Sequence, residues 1–554
     1  MIRNQSSKII IYQIFTRLYS NKNQTRKENG SIEENGCGKM KDFTPAALKR
    51  ISAMGVSHIW YTGILRHATQ TDYTAYGIPR QHPAVVKGKA GSPYAVADYY
   101  DVDPDLATDV SKRMEEFEQL VARTHKAGMK VIIDFVPNHV ARQYHSVCKP
   151  EGVKDLGEDD NTADGFNPQN NFYYCPGERF TPYFDLYHGE TEAYMEEPAK
   201  ATGNDCFHNA PGQNDWYETV KLNYGVDYYA GRVGHFDPVP DTWRKMTGIL
   251  LFWASKGIDG FRCDMAEMVP AEFWDWATRQ VKAKYPDMLF IGEVYNPNEY
   301  RRYLASGFDY LYDKVGMYDA MFGALRHQCG TDAITCAWQQ TDDIRQHMLY
   351  FLENHDELRI ASDFFTADGR RGLPALVASA LMQQGPFMLY AGQEYGERGM
   401  DKEGFSGHDG RTTIFDYWSV DTLCRAAAKK LTADEQALCS VYQKVLNLAR
   451  TEQAVASGDM FDLMYVNGQY WRQFAYLRKA AHEMLLVVVN FDDTPIEMGV
   501  TIPAHAFDFF GLKEKQYNAI DLLTDAKSKV MLQRDSSVPV KLEPRGSVVL
   551  KLKV

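Results

Sequence analysis

Short apolar runs and helical segments alternate over most of this chain. The runs are rich in β-branched residues, as is typical of buried parallel strands. The segments between them, such as Met114–His125 and Glu272–Lys284, space their apolar positions as a helix does. This alternation implies a parallel sheet, and eight units suit a closed (β/α)8 barrel better than an open sheet. The eight predicted strands are Ile9–Phe15, Val56–Trp60, Lys130–Val136, Ile258–Cys263, Leu289–Val294, Phe308–Tyr312, Met348–Leu352 and Phe387–Tyr390.

Two stretches depart from this alternation. Residues 140–240 contain no clear βα unit and are rich in Asn, Asp, Gly, Pro and Tyr. Because so long a loop needs a function or a fold of its own, we expect a subdomain inserted after the third strand. Beyond Ala456, alternating runs such as Tyr470–Leu477 and Met484–Asn490 predict a C-terminal β-sandwich. The predicted division is a barrel of residues 1–139 and 241–455, an inserted subdomain of residues 140–240, and a C-terminal domain of residues 456–554.

Polar residues cluster where four of the predicted strands end. In a (β/α)8 barrel the C-terminal strand ends converge on one pocket. Three of these residues are the acids Asp264, Glu293 and Asp356. Two carboxyl groups facing one glycosidic bond are the minimum equipment for glycoside cleavage, and a third can bind hydroxyls and stabilise positive charge. The four segments are Asp134–His139, Gly260–Asp264, Ile291–Val294 and Asn354–Asp356.

Composition narrows the class of partner. The chain has 554 residues and a net charge of −12, so it has no general attraction for nucleic acid or anionic membranes, and a neutral substrate suits it better. Nine cysteines without a C-x-x-C pair indicate a reducing compartment. No run is long and apolar enough for a signal peptide or a membrane span. We therefore expect a cytoplasmic protein, unless a leader has been trimmed from it.

The order of the motifs carries a family resemblance. The chain resembles the α-amylase superfamily, glycoside hydrolase family 13, over most of its length. Each motif is weak alone, but six of them in the family's order are specific. They are Gly55–Trp60 (G-x-x-x-I-W), Asp134–His139 (D-x-V-x-N-H), Gly260–Asp264 (G-F-R-x-D), Glu293-Val294, Asn354-His355-Asp356 and the segment from Gly385 to Glu394, where Phe387 replaces a family Pro.

The resemblance implies roles for the acids. Asp264 would be the nucleophile that forms a covalent glycosyl ester, and Glu293 would be the general acid and then the general base. Asp356 would bind two hydroxyls of the reacting sugar, although an Asp here could also be a helix N-cap. Arg262 lies two residues before the nucleophile on the same strand face and would keep it ionised. Taken alone, Arg262 could equally form a structural ion pair.

The resemblance also implies residues that hold the sugar. His139 and His355 would donate hydrogen bonds to its hydroxyls, and Tyr94 would stack on its apolar face, with a core tyrosine as the alternative. Asn138 matches a position that often supports a calcium ion or the inserted subdomain, but a plain turn residue fits as well. Lys221-Leu222-Asn223 weakly resembles a motif of that subdomain.

Two positions depart from the family pattern. Many starch-degrading members continue A-A-K-H after the nucleophile, whereas this chain has Glu267 and Met268 in place of the Lys and His. This change puts the +2 subsite and the usual calcium site in doubt. The acidic loop Gly157–Gly165 is either a substitute cation site with oxygen ligands or a solvated loop. The chemistry requires no cofactor, and a structural calcium ion remains open.

We expect cleavage of α-1,4-glucosidic bonds in maltodextrin, starch or glycogen, with retention of configuration. The nearest alternative is a transglycosylase of the same family, which shares the catalytic residues. A non-catalytic glucan-binding relative is a weaker alternative, because such relatives usually lose one of the three acids. Chain-length preference, α-1,4 against α-1,6 preference, endo or exo action and oligomeric state are not determined by the sequence.

Overall fold

The predicted barrel is confirmed. In the computed structural model, which describes residues 7–554, eight parallel strands close into a barrel in which each strand pairs with the next in chain order and the eighth with the first. All eight fall within the predicted runs or begin and end within two residues of them. The strands are Ile10–Phe15, His58–Thr62, Lys130–Phe135, Gly260–Cys263, Leu289–Gly292, Tyr310–Tyr312, Met348–Phe351 and Phe387–Tyr390.

Alternation along each strand sorts the side chains between two cores. On the first strand, Ile10, Tyr12 and Ile14 pack outward against the helices, whereas Ile9 and Ile11 belong to a separate core inside the barrel. Because successive side chains point to opposite faces, the next inward position falls at the C-terminal end of the strand. The same reasoning puts the polar residues at the ends of strands two to five at the mouth of the barrel.

Helices surround the barrel and connect its strands. The α-helices are Thr16–Tyr19, Ile32–Asn35, Pro45–Ala53, Arg113–Lys126, Asp241–Ser255, Ala271–Lys284, Tyr300–Ala305, Asp319–Leu325, Asp332–Gln340, Leu373–Met382, Asp421–Ala427, Ala433–Thr451, Gln453–Ala456 and Ala504–Phe510. Within residues 7–554, none of the helices is both long and apolar enough to cross a membrane. The first six residues, on which part of the signal-peptide expectation rests, lie outside the described range.

A long excursion follows the third barrel strand. Between Phe135 and Asp241 the chain forms short antiparallel ladders and loops instead of a βα unit. One ladder pairs the residues just beyond the barrel strand with Thr219–Lys221, so that His139 lies opposite Lys221. The excursion is thereby anchored beside the barrel mouth. Its strands are His139–Ala141, Tyr174–Cys175, Ala199–Lys200, Thr219–Lys221, Val226–Asp227 and Val233–Gly234; the ladder of Leu65–His67 with Val96–Val102 precedes it.

The C-terminal part is all-β and antiparallel, as predicted. It consists of a six-stranded sheet and a two-stranded sheet, with one short helix, Ala504–Phe510, between strands. The strands are Asp459–Asp462, Gln473–Ala480, Glu483–Asn490, Ile496–Ile502, Lys515–Asp521, Lys527–Leu532, Ser536–Leu542 and Ser547–Lys553.

A buried arginine ties this C-terminal sheet to the barrel. The Arg478 guanidinium donates to the carbonyl oxygens of Met382, Ala454, Val455 and Gly458 at 2.7–2.9 Å, and only 1% of the residue is exposed. Burial lowers its pKa to about 10. One side chain therefore satisfies four buried acceptors from two separate segments of the chain.

We expect Arg478→Met to lower the free energy of unfolding by about 3 kcal/mol or more, because it leaves buried carbonyls without a donor at ~1–3 kcal/mol each. Arg478→Lys should recover only part of this loss, since an ammonium cannot reach all four acceptors. Lys479→Met, on the next position of the same strand, should change stability by less than about 0.5 kcal/mol. Urea unfolding of the three variants measures these differences, and equal stabilities of Arg478→Met and Lys479→Met would contradict the assignment.

Candidate active site

A cavity of about 380 Å³ lies at the C-terminal ends of the barrel strands. It brings together five of the predicted site residues, namely Tyr94, His139, Asp264, Glu293 and Asp356. The other two, Arg262 and His355, contact these residues from below. The full lining is Lys87, Ser92, Tyr94, His139, Trp216, Glu218, Thr219, Asp264, Met265, Glu293, Tyr295, Asp356, Ile414 and Phe415.

Arg262 lies at the centre of the acidic groups. Its Nη1 donates to Asp264 Oδ1 at 2.7 Å, and its Nη2 lies 2.8 Å from Glu293 Oε2. Asp134 Oδ1 is 3.5 Å from Nη1, and Trp60 Nε1 donates to the other oxygen of Asp134 at 2.9 Å. One buried positive charge therefore faces three carboxyl groups.

The electrostatics of these acids follow from burial. Burial raises the pKa of Asp264 well above its usual range, and the Arg262 guanidinium opposes this shift. Burial also raises the pKa of Asp134 to about 6, again against the effect of Arg262. A single guanidinium faces more negative charge than it can balance in a dry site, and the pKa values of Asp264 and Asp134 are both raised despite it.

Glu293 is held by contacts on both of its oxygens. The backbone N–H of Met265 donates to Oε2 at 2.8 Å, and the Tyr295 hydroxyl donates to Oε1 at 2.7 Å. Met265, which directly follows Asp264, adopts a left-handed backbone conformation with φ 42° that is uncommon for a non-glycine residue. The Glu293 side chain is 3% exposed and that of Asp264 8%, so both acids are almost completely buried.

The Asn354–Asp356 segment forms the opposite side of the site. The Gln13 amide donates to His355 Nδ1 at 2.8 Å, which leaves Nε2–H facing the Tyr94 hydroxyl at 2.5 Å and Asp356 Oδ2 at 3.1 Å. Tyr94 and His355 also stack with ring centroids 5.2 Å apart. Although 43% of the Asp356 side chain is open to the cavity, burial of the carboxyl group raises its pKa.

Both histidines are held neutral. Burial lowers the pKa of His139 to about 3, and the nearby Lys221 charge adds to this effect. Burial and Arg262 together lower the pKa of His355 to about 3. A neutral imidazole can donate one hydrogen bond to a sugar hydroxyl without adding charge to the cavity.

The family is decided by the comparison of the whole chain. The family model described as "Alpha amylase, catalytic domain" matches residues 13–461 of this chain. The chain belongs to the α-amylase family. Among curated relatives, α-amylase MalA of Haloarcula japonica is 24% identical over 503 residues, covering 89% of this chain and 56% of the relative. α-Amylase 3 of Dictyoglomus thermophilum is 25% identical over 477 residues, covering 81% of this chain and 82% of the relative.

A solved structure agrees on the fold. The noncanonic maltogenic α-amylase of Thermotoga neapolitana superposes with a TM-score of 0.64 at 20% identity, covering 99% of each chain. At this level of identity the match shows the fold alone. This chain spans little more than half the length of the Haloarcula relative.

A calcium ion of the kind that the family resemblance implies does not fit beside Asn138. The ammonium of Lys221 donates to Asn138 Oδ1 at 2.6 Å and lies 2.7 Å from Asp205 Oδ1. The Asn138 amide in turn donates to the Gly203 carbonyl at 2.7 Å. The oxygens that would ligate a hard cation therefore already share a buried positive charge, which leaves no place for a second one.

The acidic loop 157–165 is likewise supplied with donors by the protein. Glu158 pairs with Lys149 at 3.1 Å, and Asp159 pairs with Lys154 at 2.7 Å. Asp160 accepts from two backbone N–H groups and the Tyr174 hydroxyl. Because the three carboxylates of the loop bind separate partners, they do not assemble a cation site.

One metal-type cluster, Asp98, Asp101 and Cys148, occurs among residues 7–554. Arg66 bridges its two carboxylates at 3.2 Å each, and Arg113 binds Asp101 at 2.6 Å. The two guanidinium groups balance the negative charge that a cation would otherwise neutralise. We therefore regard this cluster as a structural ion-pair network.

Glu267 and Met268, where the α-amylase family pattern is lost, do not line the cavity. Instead, Glu267 Oε2 accepts from the backbone N–H groups of Tyr295 at 3.1 Å and Asn296 at 3.0 Å. The carboxylate therefore fixes the loop that follows Glu293.

Sequence reasoning missed several residues of the site. Gln13 could have been found, because strand alternation places it inward after Ile11. The ring of Trp216 lies 5.2 Å from that of His139. Neither Trp216 nor Tyr295 could be found by strand alternation, since each belongs to a loop.

The neutral histidines predict a pH dependence of stability. The pKa of His355 is about 3 in the folded state and about 6.5 in the unfolded chain. Its contribution is therefore fully present above pH ~6.5 and declines as the pH falls toward 3, by at most about 1.4 kcal/mol per pH unit. The stability advantage of the wild type over His355→Asn should shrink between pH 7 and pH 5, as measured by urea unfolding. A constant difference would mean that His355 is not held neutral.

Proposed function

We propose that this chain is a retaining glycoside hydrolase that cleaves α-1,4-linked glucans such as maltodextrin, starch or glycogen. The observation that carries the proposal is the pair of carboxyl groups, Asp264 and Glu293, placed on the two η-nitrogens of one buried guanidinium in a cavity of about 380 Å³. The family membership and the names of the relatives support the substrate class.

The chemistry follows from the two positions. Asp264 attacks the anomeric carbon, the glycosidic bond breaks, and Glu293 gives its proton to the departing oxygen. Water then attacks the covalent glycosyl ester, Glu293 takes the proton of that water, and Asp264 leaves as a carboxylate. Two inversions retain the α configuration. The Arg262 contact favours the carboxylate form of Asp264 both before it attacks the sugar and after the ester is hydrolysed.

The remaining residues hold the sugar. Asp356 is open to the cavity and accepts from hydroxyls of the reacting ring, and the uncharged His139 lines the same space. The uncharged His355 contacts Tyr94 and Asp356 from below. Tyr94 presents its ring beside them as a platform for the apolar sugar face. The partner is therefore an uncharged glucan, rather than nucleic acid or a membrane, in keeping with the net charge of −12.

Transglycosylation is the second candidate, favoured by the aromatic Tyr295 beside Glu293. A ring on the leaving-group side can also bind an incoming sugar. We infer that hydrolysis outweighs transfer at low substrate concentration, because the Lys-His pair that holds the acceptor side in many members is replaced by Glu267 and Met268, neither of which lines the cavity.

Cytoplasmic localisation remains part of the proposal. All nine cysteines are free thiols, and Cys263 is buried directly before Asp264. A reducing compartment suits such a set.

We expect Asp264→Asn and Glu293→Gln each to reduce turnover of maltoheptaose by about 100-fold or more, because acid–base groups alone contribute roughly 10²–10⁴-fold. Asp275→Asn, on the exposed face of helix Ala271–Lys284, is the matched control and should retain activity. Product chromatography and an NMR time course of anomers provide the measurements. The α-anomer of the new reducing end should form first.

Three outcomes would contradict the proposal. Near-normal activity in either folded acid variant would remove the mechanism, and an initial β-anomer would exclude Asp264 as nucleophile. Dominant formation of chains longer than maltoheptaose, with little gain in reducing ends, would identify a transferase.

We also propose that folding requires no metal beside Asn138, because Lys221 supplies the positive charge there. Chelator and added Ca²⁺ should both leave the melting temperature of the wild type unchanged. Lys221→Met should lower the free energy of unfolding by about 1–3 kcal/mol, because it leaves the buried Asn138 Oδ1 without its donor and leaves Asp205 only the more distant Arg232 at 3.7 Å. Lys154→Met, which removes an exposed lysine of the same excursion, should have little effect. A fall in the wild-type melting temperature in chelator would overturn this proposal.

A further inference from the structure

The backbone of the loop after Glu293 is bound by the carboxylate of Glu267. Glu267 accepts the backbone N–H groups of both Tyr295 and Asn296, and the Tyr303 hydroxyl donates to the Glu267 carbonyl at 3.0 Å. A carboxylate that accepts two adjacent N–H groups determines the direction in which the side chain of Tyr295 leaves the backbone. Glu267, which stands where many family members have a lysine, therefore fixes the backbone next to Glu293.

Tyr295 uses this position to reach one particular oxygen. Its hydroxyl donates to Glu293 Oε1 at 2.7 Å, whereas Arg262 and the Met265 N–H both contact Oε2. Oε1 is therefore the oxygen of Glu293 that is not bound to the barrel. Burial raises the pKa of the Tyr295 phenol far above its usual range, so this group stays a proton donor at every working pH.

We propose that Tyr295 is a positioning residue for the acid/base, holding Glu293 Oε1 in the substrate-free enzyme and releasing it to the glycosidic oxygen when a glucan enters. Glu267 acts through Tyr295 by fixing the backbone from which the phenol reaches the acid. This inference rests on the proposed function, because it assigns a role within the same reaction.

The exchange is balanced at both steps. In the first step the proton of Glu293 passes to the departing oxygen, and the resulting carboxylate again accepts the Tyr295 hydroxyl. In the second step the carboxylate takes a proton from water and the phenol is released. A donor that binds the charged form of Glu293 more strongly than the neutral form favours the charged form.

Other charged and titratable groups face the same acid and remain unchanged in the variants below. They come from the barrel strands and from the loop after the seventh strand. These groups are Arg262, Asp264, Asp134, Tyr312, His355 and Asp356.

The test compares hydroxyl deletions at two neighbouring tyrosines. Tyr295→Phe removes the donor to Glu293, and Tyr300→Phe is the matched control, because the buried Tyr300 hydroxyl has no hydrogen-bond partner among the described residues. Glu267→Ala releases the loop, and Glu267→Gln keeps an oxygen that can accept the two N–H groups. For each variant, kcat/KM is measured from pH 4 to pH 9 on maltotriose and on an aryl α-maltoside with a nitrophenol leaving group.

We expect the alkaline limb of kcat/KM for Tyr295→Phe to move to higher pH by about one unit, as the loss of one hydrogen bond to a charged group would give. At the optimum, kcat/KM on maltotriose should fall about tenfold, but on the aryl glycoside only about twofold, because a nitrophenol leaves with little protonation. Glu267→Ala should reproduce both effects more weakly, Glu267→Gln should lie closer to the wild type, and Tyr300→Phe should match it.

Unchanged pH limbs together with equal losses on the two substrates would overturn the inference and make Tyr295 a structural residue. Infrared spectra of protein labelled with ¹³C-glutamate, with Glu293→Gln used to assign the band, read the protonation of Glu293 directly. Should the wild type cleave no glucan, the proposed function fails, and this band still tests the contact: no difference between wild type and Tyr295→Phe would overturn it independently.

Discussion

The site depends on one buried positive charge. Arg262 is 1% exposed and reaches the nucleophile candidate, the acid candidate and Asp134. Carboxyl groups placed this close in a dry cavity would repel one another and become protonated without it. The guanidinium is supported in turn by aromatic rings, since Trp60, Tyr94 and Tyr312 all lie with centroids 5.1–5.5 Å from it. Arg262 therefore both packs the barrel mouth and sets the charge of the acids in the cavity.

Strand alternation delivers the other polar groups to the same place. The inward positions of each strand are apolar at the bottom of the barrel and polar at the top, so that a well-packed core lies beneath a charged site. The interior cluster around Ile11, Ile132 and Leu349 separates the acids from the far end of the barrel. The acids therefore face the cavity on one side and apolar side chains on the other.

The excursion after the third strand is joined to the edge of the cavity by buried ion pairs and hydrogen bonds of two lysines. Lys221 joins Asn138 of the barrel mouth to Asp205 of the excursion, and its charge helps to keep His139 neutral. Lys87 pairs with Glu218 at 2.9 Å across the same edge of the cavity. Buried ion pairs of this kind add specificity of geometry more than net stability, which suits a wall that must place His139 and Trp216 accurately.

Local pattern alone was sufficient for the barrel and for the placement of its acids. The spacing of apolar residues located all eight strands, and motif order placed Asp264, Glu293 and Asp356 at strand ends, because alternation and barrel closure leave strand-end side chains no other direction. The partners of these groups could not be found in this way. Lys221 meets Asn138 across 83 residues of chain, and the backbone of Tyr295, whose hydroxyl reaches Glu293, is bound by Glu267, 28 residues earlier. Such contacts depend on how loops pack in three dimensions, and neither periodicity nor local propensity encodes that packing.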